Sequence, residues 1–229
     1  MKELWRSPLF GILLSVLAFE VGVFINRRTR LALLNAYLIS VLLIIGVLLR
    51  LHISLAAFNA GGSIISFLLG PATVVLAVPL YKQLPLLKAN IVPIMIGIIV
   101  GSATAITSAI LFAKWFGLSP VLGASLAPKS ITTPIGIEVA KELGGITPIT
   151  VSAIIVSGII GAVIGPTLCK LCGIRDRLAV GIAIGTASHA IGTAKALELG
   201  EVEGAMSGLA IGIAGVVTVL LAPLLIRLL

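Results

Sequence analysis

Acidic residues, histidine and cysteine are scarce in this chain. Its 229 residues include 8 Asp and Glu, 2 His and 2 Cys, against 16 Lys and Arg. A structural metal site takes about four ligands, and His52 and His189 are far in sequence from Cys169 and Cys172. We therefore expect no metal and no cofactor. Asp176 is the only aspartate, and G-x-S-x-G and H-E-x-x-H segments are absent, so we expect that the protein is not an enzyme.

Charge is also scarce: 10% of the residues are charged and 59% are hydrophobic. Crossing a bilayer as a helix takes about 20 apolar residues. Five runs without Asp, Glu, Lys or Arg are 31–49, 51–81, 89–113, 143–169 and 204–226. Three further segments with few ionisable groups are 7–26, 115–139 and 178–194. The pattern predicts an all-α polytopic membrane protein with about eight crossings or broken crossings, forming one domain over 1–229.

Basic residues are concentrated at the ends of the apolar runs, as in Arg27 and Arg28. That distribution is typical of membrane-flanking anchors, and we expect no nucleic-acid partner despite a net charge of +8. In an eight-crossing arrangement, alternate loops carry nearly equal numbers of Lys and Arg. The positive-inside rule therefore gives no orientation at this stage.

Two polar segments interrupt the apolar sequence: 127–134 (APKSITTP) and 185–195 (GTASHAIGTAK). Irregular polar backbone at membrane depth is tolerated only where it is buried in protein or lines a wet cavity. We therefore interpret both segments as parts of one solute site. Pro128 and Pro134 are predicted helix breaks, and Lys129 between them offers a compact positive charge.

Hydroxyl groups next to the lysine and in the second segment would complete a carboxylate site. The predicted substrate-binding hydroxyls of these two segments are Ser130, Thr132, Thr133, Ser188 and Thr193. The alternative is that Lys129 snorkels from a helix end to the lipid headgroups.

His189 is the third predicted ligand of the second segment and the first candidate for proton coupling, because imidazole exchanges protons near neutral pH. The alternative is a neutral histidine that is hydrogen-bonded between helices. Glu138 is the second proton-coupling candidate, with Lys129 or Lys141 as its partner.

The uncharged run 51–81 is too long for one straight crossing. As continuous helix it would extend about 46 Å, against about 30 Å of hydrocarbon. It contains helix breakers at Gly70 and Pro71, and discontinuous helices build solute sites in secondary transporters. Asn59 and Thr73 are therefore predicted to complete the pocket. We expect scaffold-like spans at about 7–49 and a broken-helix core at about 51–226.

An internal repeat is indicated by aligning 130–145 with 186–201, an offset of 56 residues. The alignment has six identities in sixteen positions, among them Gly136 with Gly192. Repeats that meet near the bilayer midplane are a recurring plan in transporters. The sequence does not show whether the repeat is inverted.

Three segments of the chain resemble the LrgB/CidB family: 69–81 (LGPATVVLAVPLY), 126–135 (LAPKSITTPI) and 187–198 (ASHAIGTAKALE). The resemblance covers essentially the whole chain. It implies a multi-pass protein of the bacterial cytoplasmic (inner) membrane, and the family is similar to cation/proton antiporter-like transporters with crossed broken helices.

The same resemblance implies two functions. The family includes part of the plant plastidial glycolate/glycerate translocator, so we expect a secondary transporter of small carboxylates such as glycolate, glycerate or pyruvate, coupled to protons. The alternative is a holin- or antiholin-like protein that modulates murein hydrolase activity and autolysis with a small LrgA/CidA-type membrane partner. We also expect a homodimer in the lipid bilayer.

Overall fold

The computed structural model describes residues 7–29, 36–68, 71 and 81–228. The helices are α1 Pro8–Thr29, α2 Ala36–Arg50, α3 Leu55–Phe67, α4 Leu84–Ala89, α5 Ile91–Trp115, α6 Pro120–Leu126, α7 Thr133–Glu142, α8 Thr147–Leu171, α9 Arg177–Leu199 and α10 Glu201–Leu225, followed by a 3-10 turn at Ile226–Leu228. All regular structure in these ranges is helical, which confirms the predicted all-α class.

Four helices are long and apolar enough to cross a membrane: α1, α5, α8 and α10. The helices α2 and α3 are apolar but shorter, with 15 and 13 residues. Most large hydrophobic side chains on the long helices are exposed, for example Leu220 on α10 at 65%. Such outward apolar faces are expected of helices in contact with lipid, which agrees with the predicted membrane protein.

The chain divides into two compact units, residues 1–75 and 76–229. In the first unit, α1 packs against both α2 and α3. The backbones of α1 and α3 approach closely where Gly11 meets Gly61, as small residues allow in membrane helices. The first unit therefore extends beyond 49, where the sequence placed the end of the scaffold-like spans.

In the second unit, helix α9 is folded back on itself at His189. That residue has φ 43° and ψ −141° and separates an incoming arm, 177–188, from a returning arm, 190–199. A Cβ added to Gly192 would lie 3.1 Å from the carbonyl oxygen of Ile184, whereas eight residues of straight helix span about 12 Å. The arms therefore lie side by side, and we call this helical hairpin hairpin 2.

Contacts with α10 agree with this reversal. A Cβ on Gly181 would lie 3.0 Å from the Cα of Glu203, and one turn later a Cβ on Gly185 would lie 2.8 Å from the Cα of Ser207. The incoming arm is therefore parallel to α10. The returning arm meets the same Ser207 through Thr193, with 2.7 Å between the hydroxyl oxygens. Both arms thus begin and end near the start of α10.

Helices α6 and α7 form hairpin 1, whose tip is 127–132. Along its incoming side, Thr150 Oγ1 donates to the carbonyl of Ser125 at 2.8 Å, and Ser157 Oγ donates to the carbonyl of Lys129 at 2.6 Å. This side is therefore parallel to α8. Only four residues separate the end of α7 from the start of α8, so α7 runs back in the opposite direction.

Hairpin 1 and hairpin 2 enter the unit from opposite ends, as four glycine contacts of α5 and α8 with the incoming arm of hairpin 2 indicate. The pairs are Gly97 with Ile182, Gly101 with Thr186, Gly161 with Ser188 and Gly165 with Ile184. Residue numbers rise together in the two α5 pairs and in opposite directions in the two α8 pairs. The helices α5 and α8 are therefore antiparallel, and each leads into one hairpin.

These antiparallel segments are related by the offset found in the sequence. The helices α5 and α8 both have 25 residues and begin 56 residues apart. In hairpin 1 a Cβ on Gly136 would lie 3.5 Å from the Pro128 carbonyl, and in hairpin 2 the equivalent Gly192 lies in the same way against Ile184. This confirms the internal repeat, and the structure adds that it is inverted.

The inverted repeat changes the count of crossings. The regions predicted as crossings or broken crossings at 115–139 and 178–194 contain the two hairpins, each of which returns to the end where it entered. We call the end of the unit where α5 begins face 1 and the end where α5 finishes face 2. Hairpin 1 enters from face 2, and hairpin 2 enters from face 1.

Candidate solute site at the hairpin tips

The tip of hairpin 1 is a short irregular segment between two helices. Helix α6 begins with Ser119 as its N-cap and ends at Leu126, and α7 begins at Thr133 with Pro134 in its first turn. Proline suits a first turn, where its missing N–H needs no partner. Pro128 lies between the helices and is almost completely buried. The backbone therefore turns inside the protein at this point.

Lys129 is half-buried at this tip. Its ammonium group donates to the hydroxyl of Ser130 at 3.2 Å, and Ser130 is itself 8% exposed. The ion pairs among the described residues do not include Lys129. A cation at membrane depth without a carboxylate partner is energetically costly, so an anion bound beside it would be stabilised.

The tip of hairpin 2 holds His189 in a strained backbone conformation. Its side chain is 4% exposed, and Nε2 lies 2.9 Å from the carbonyl oxygen of Ile154 on α8. A carbonyl can only accept, so Nε2 carries the hydrogen. A φ of 43° is unfavourable for any residue other than glycine by about 1–3 kcal/mol, and it persists only where the surroundings impose it.

One helix, α8, holds both tips. It donates from Ser157 to the backbone of hairpin 1 at 2.6 Å and accepts from His189 of hairpin 2. Glycines admit the second tip closely: a Cβ on Gly158 would lie 2.6 Å from the His189 ring, and one on Gly161 would lie 2.7 Å from the Cβ of Ser188. The two predicted polar segments therefore meet at the middle of α8.

Two cavities reach these tips. Cavity 1 has a volume of about 680 Å³ and lies between α5, the incoming arm of hairpin 2 and the tip of hairpin 1. Cavity 2 has about 620 Å³ and lies between α8, the incoming side of hairpin 1 and the tip of hairpin 2. Lys129 lines both, Ser130 lines cavity 1, and Ser188 lines cavity 2.

Thr186 is a site residue that the sequence analysis did not select. It lines cavity 1 and is 5% exposed, and its hydroxyl oxygen has no hydrogen-bond partner among the described residues. A buried hydroxyl without a partner favours a polar ligand nearby. The repeat offers the missed signal, because Thr186 is the equivalent of Ser130 at the offset of 56.

The other predicted ligands of the hairpins lie outside this lining. Thr132 and Thr133 are half-buried at the start of α7, and Thr132 is an N-cap without a side-chain hydrogen bond. Thr193 is buried against α10, where it bonds Ser207. The ring of His189 faces α8 instead of either cavity. The structure therefore brings together Lys129, Ser130 and Ser188 from the predicted set.

The remaining predicted residues are placed elsewhere. Asn59 is exposed on α3 of the first unit, and Gly70 and Thr73 lie outside the described residues, next to Pro71. Glu138 is exposed on α7 and forms an ion pair with Lys141 at 2.7 Å, which was one of its two predicted partners. The roles predicted for these residues stay predictions.

Comparison with known proteins gives the family of this chain. The model of the LrgB-like family matches residues 15–228. The chain belongs to the LrgB-like family. The match extends through the whole second unit as the structure describes it, so both hairpins are part of the LrgB-like region.

Individual relatives cover nearly the full length of this LrgB-like chain. The uncharacterized protein YxaC of Bacillus subtilis (strain 168) is 41% identical over 215 residues, 94% of both chains. The antiholin-like protein LrgB of the same strain is 38% identical over 227 residues, 99% of this chain and 98% of the relative. The antiholin-like protein LrgB of Bacillus mycoides (strain KBAB4) is 35% identical over 219 residues, 95% of both. No solved structure matches the chain.

Proposed function

We propose that this LrgB-like chain has the antiholin-like role for which its relatives are named. The observation that supports this proposal is the 38% identity with LrgB of Bacillus subtilis over 99% of the chain. Following the family resemblance, the chain would act with a small holin-like membrane protein and lower murein hydrolase activity. The role requires an assembly surface in the membrane and no catalytic residues of its own.

This proposal is tested in a strain from which the gene and its LrgB-like paralogues are deleted. We expect faster detergent-induced autolysis and stronger murein hydrolase bands in zymograms, and recovery of both when the chain is expressed together with the small partner. Unchanged autolysis in the deletion strain would overturn the antiholin-like role.

We propose, as a second function, that the hairpin tips bind and transport a small carboxylate, of the 2-hydroxy or 2-keto acid class. The observation that favours it is Lys129, a half-buried cation with no carboxylate partner among the described residues, which lines two cavities. A passive assembly surface does not need such a group, since a cation at membrane depth is costly unless something compensates it.

The residues around Lys129 match the chemistry of such an acid. The carboxylate would accept from the ammonium group, in a charge-assisted hydrogen bond. The substituent on the second carbon would exchange hydrogen bonds with hydroxyls, which both donate and accept. Ser130 and Thr186 are the hydroxyls in cavity 1, and Ser188 is the hydroxyl at the tip in cavity 2.

Proton coupling is proposed through His189, with Glu138 as the second candidate. His189 would take up a second proton at Nδ1, because Nε2 already donates to Ile154. Since the ring lies on α8, protonation would act on the packing of the tip and not on the ligand directly. A pH gradient that leaves uptake unchanged would exclude this coupling.

The test of transport is uptake of labelled glycolate, glycerate and pyruvate into proteoliposomes, with and without an inward proton gradient. We expect saturable uptake that is lost in Lys129→Ala and kept in Lys141→Ala, a surface lysine that pairs with Glu138. Reconstitution with the small partner is the second arm. No uptake in either arm would overturn the transport function and leave the antiholin-like role to be judged by the autolysis test.

A further inference from the structure

We propose that cavity 1 and cavity 2 are two access routes to the same Lys129 site, one from each side of the membrane. The inference rests on the proposed transport function. Cavity 1 extends from Asn90 and Asp176 at face 1 to Lys129 and Thr186 at the tips. Its walls are the first half of α5 and the incoming arm of hairpin 2, both of which run inward from face 1.

Cavity 2 is the counterpart of cavity 1 under the inverted repeat. Its walls are the first half of α8, from Ile149 to Gly161, and the incoming side of hairpin 1 at Leu126. At the offset of 56 these correspond to the first half of α5 and to Ile182 on hairpin 2, which line cavity 1. Because the repeat is inverted, cavity 2 extends inward from face 2.

The two cavities meet at a thin partition. Lys129 and Ala187, one residue from each tip, are the residues that line both. Ala187 is exposed, although its neighbours Thr186 and Ser188 are buried. A small separation of the tips from α5 or from α8 would therefore transfer access to Lys129 from one cavity to the other, as alternating access around a fixed site requires.

Charge assigns a side to each route. In the second unit, the basic residues other than Lys129 lie on loops or returning arms. Those on the face 1 side are Lys82, Lys88, Lys170, Arg175, Arg177 and Lys195, and those on the face 2 side are Lys114, Lys141 and Arg227. The positive-inside rule places the richer face in the cytoplasm, so cavity 1 opens to the cytoplasm. The balance differs from the nearly equal count in the eight-crossing arrangement because the hairpins do not cross.

Single cysteines in a Cys169→Ala, Cys172→Ser chain test the proposal. Ala183→Cys reports on cavity 1, Ala153→Cys on cavity 2, and Ala187→Cys on the partition. Each is treated with a membrane-impermeant methanethiosulfonate, in spheroplasts and in inverted vesicles. Leu220→Cys is the control for a lipid-facing position, since Leu220 is an exposed apolar residue on α10.

We expect Ala183→Cys to react in inverted vesicles, Ala153→Cys to react in spheroplasts, and Ala187→Cys to react in both. Reaction of Ala187→Cys from one side alone would overturn the two routes. An Ala153→Cys that is as unreactive as Leu220→Cys would make cavity 2 a lipid-filled groove and would also overturn them. The reverse pattern for cavities 1 and 2 would support two routes and overturn only the assignment of sides.

The outcome for this inference is separable from the outcome for transport. Uptake is measured in proteoliposomes of the same cysteine-free chain. Two-sided reaction of Ala187→Cys without uptake would retain the access routes and reject carboxylate transport. Uptake with one-sided reaction would retain transport and reject the second route.

Discussion

Hairpin 1 turns through Pro128 and carries the charge of Lys129, whereas hairpin 2 turns at His189 and presents only neutral hydroxyls and a backbone with positive φ. Their arms have equivalent directions, and the same crossing of returning arm on incoming arm occurs at Gly136 and Gly192. The repeat thus specifies the path of the backbone. The chemistry of each tip is specified separately, by a few residues that the repeat does not share.

The difference also shows two ways to break a helix inside a membrane protein. Hairpin 1 uses proline, which ends a helix because it lacks an N–H and clashes with the preceding turn. Hairpin 2 has no proline and depends on tertiary contacts to hold His189 in its conformation. Both solutions rely on α8, so changes in α8 and in each tip test the comparison.

The largest effect is expected for the charge that only hairpin 1 carries. Lys129→Met should weaken carboxylate binding by about 10- to 100-fold, because a charge-assisted hydrogen bond contributes about 1.5–3 kcal/mol. The same change should raise stability in detergent, since it removes a half-buried cation without a partner. Ligand-dependent thermal unfolding measures both effects. Equal loss of binding in Lys141→Met would contradict a specific role for the tip lysine.

The next effect concerns the close contact between α8 and hairpin 2. Gly158→Ala should destabilise the protein by about 1–3 kcal/mol, because its Cβ would lie 2.6 Å from the His189 ring. Gly165→Ala on the same helix is the matched control. Its nearest contact is Ile184 at 3.7 Å, so the better helix propensity of alanine should stabilise it by up to about 1 kcal/mol. Unfolding in detergent that lowers both midpoints equally would argue against a close tip contact.

Backbone strain should distinguish the two tips by sign. His189→Gly is expected to be more stable than His189→Ala by about 1–3 kcal/mol, since both lose the bond to Ile154 but only alanine keeps the unfavourable φ. At Ser130, where φ is not positive, the glycine variant should be the less stable of the pair. Thermal unfolding of the four variants gives the comparison, and the same sign at both positions would refute it.

The smallest effect is expected where α8 holds hairpin 1. Ser157→Ala removes a bond of 2.6 Å to the Lys129 carbonyl and should cost about 0.6 kcal/mol, the average for such bonds in membrane proteins. Hydrogen exchange in the tip should become faster. Ser152→Ala is the control, because Ser152 bonds within its own helix to Pro148. A matching rise in exchange for Ser152→Ala would show that the bond to the tip is not responsible.

Much of the site could be predicted from residue type alone. Lys129 and Ser130 stand out because a lysine, hydroxyls and prolines are unfavourable in an apolar span unless they serve a site. Thr186 was within a selected segment and was missed, since nothing in its own neighbourhood separates it from Thr193. Their different positions follow from the hairpin: Thr186 faces cavity 1, whereas Thr193 on the returning arm faces Ser207 of α10.

The role of α8 was not predictable from its own sequence. Ser157 and Gly158 belong to an uncharged run that is typical of any crossing, and Ser157 acts on Lys129, 28 residues away. A glycine can permit close packing or simply be tolerated, and only its neighbours in space distinguish the two. Gly158 faces the His189 ring, whereas Gly208 and Gly212 have open space beside them.

The sequence by itself determined that this is an all-α membrane protein of the LrgB-like family, because hydropathy, helix breakers and motifs are local properties of the chain. It also contained the repeat, as an offset of 56 residues. Only the tertiary structure decided that the broken segments are hairpins that enter from opposite faces. Direction depends on which helices lie side by side, and a repeat has the same sequence signature whether it is inverted or not.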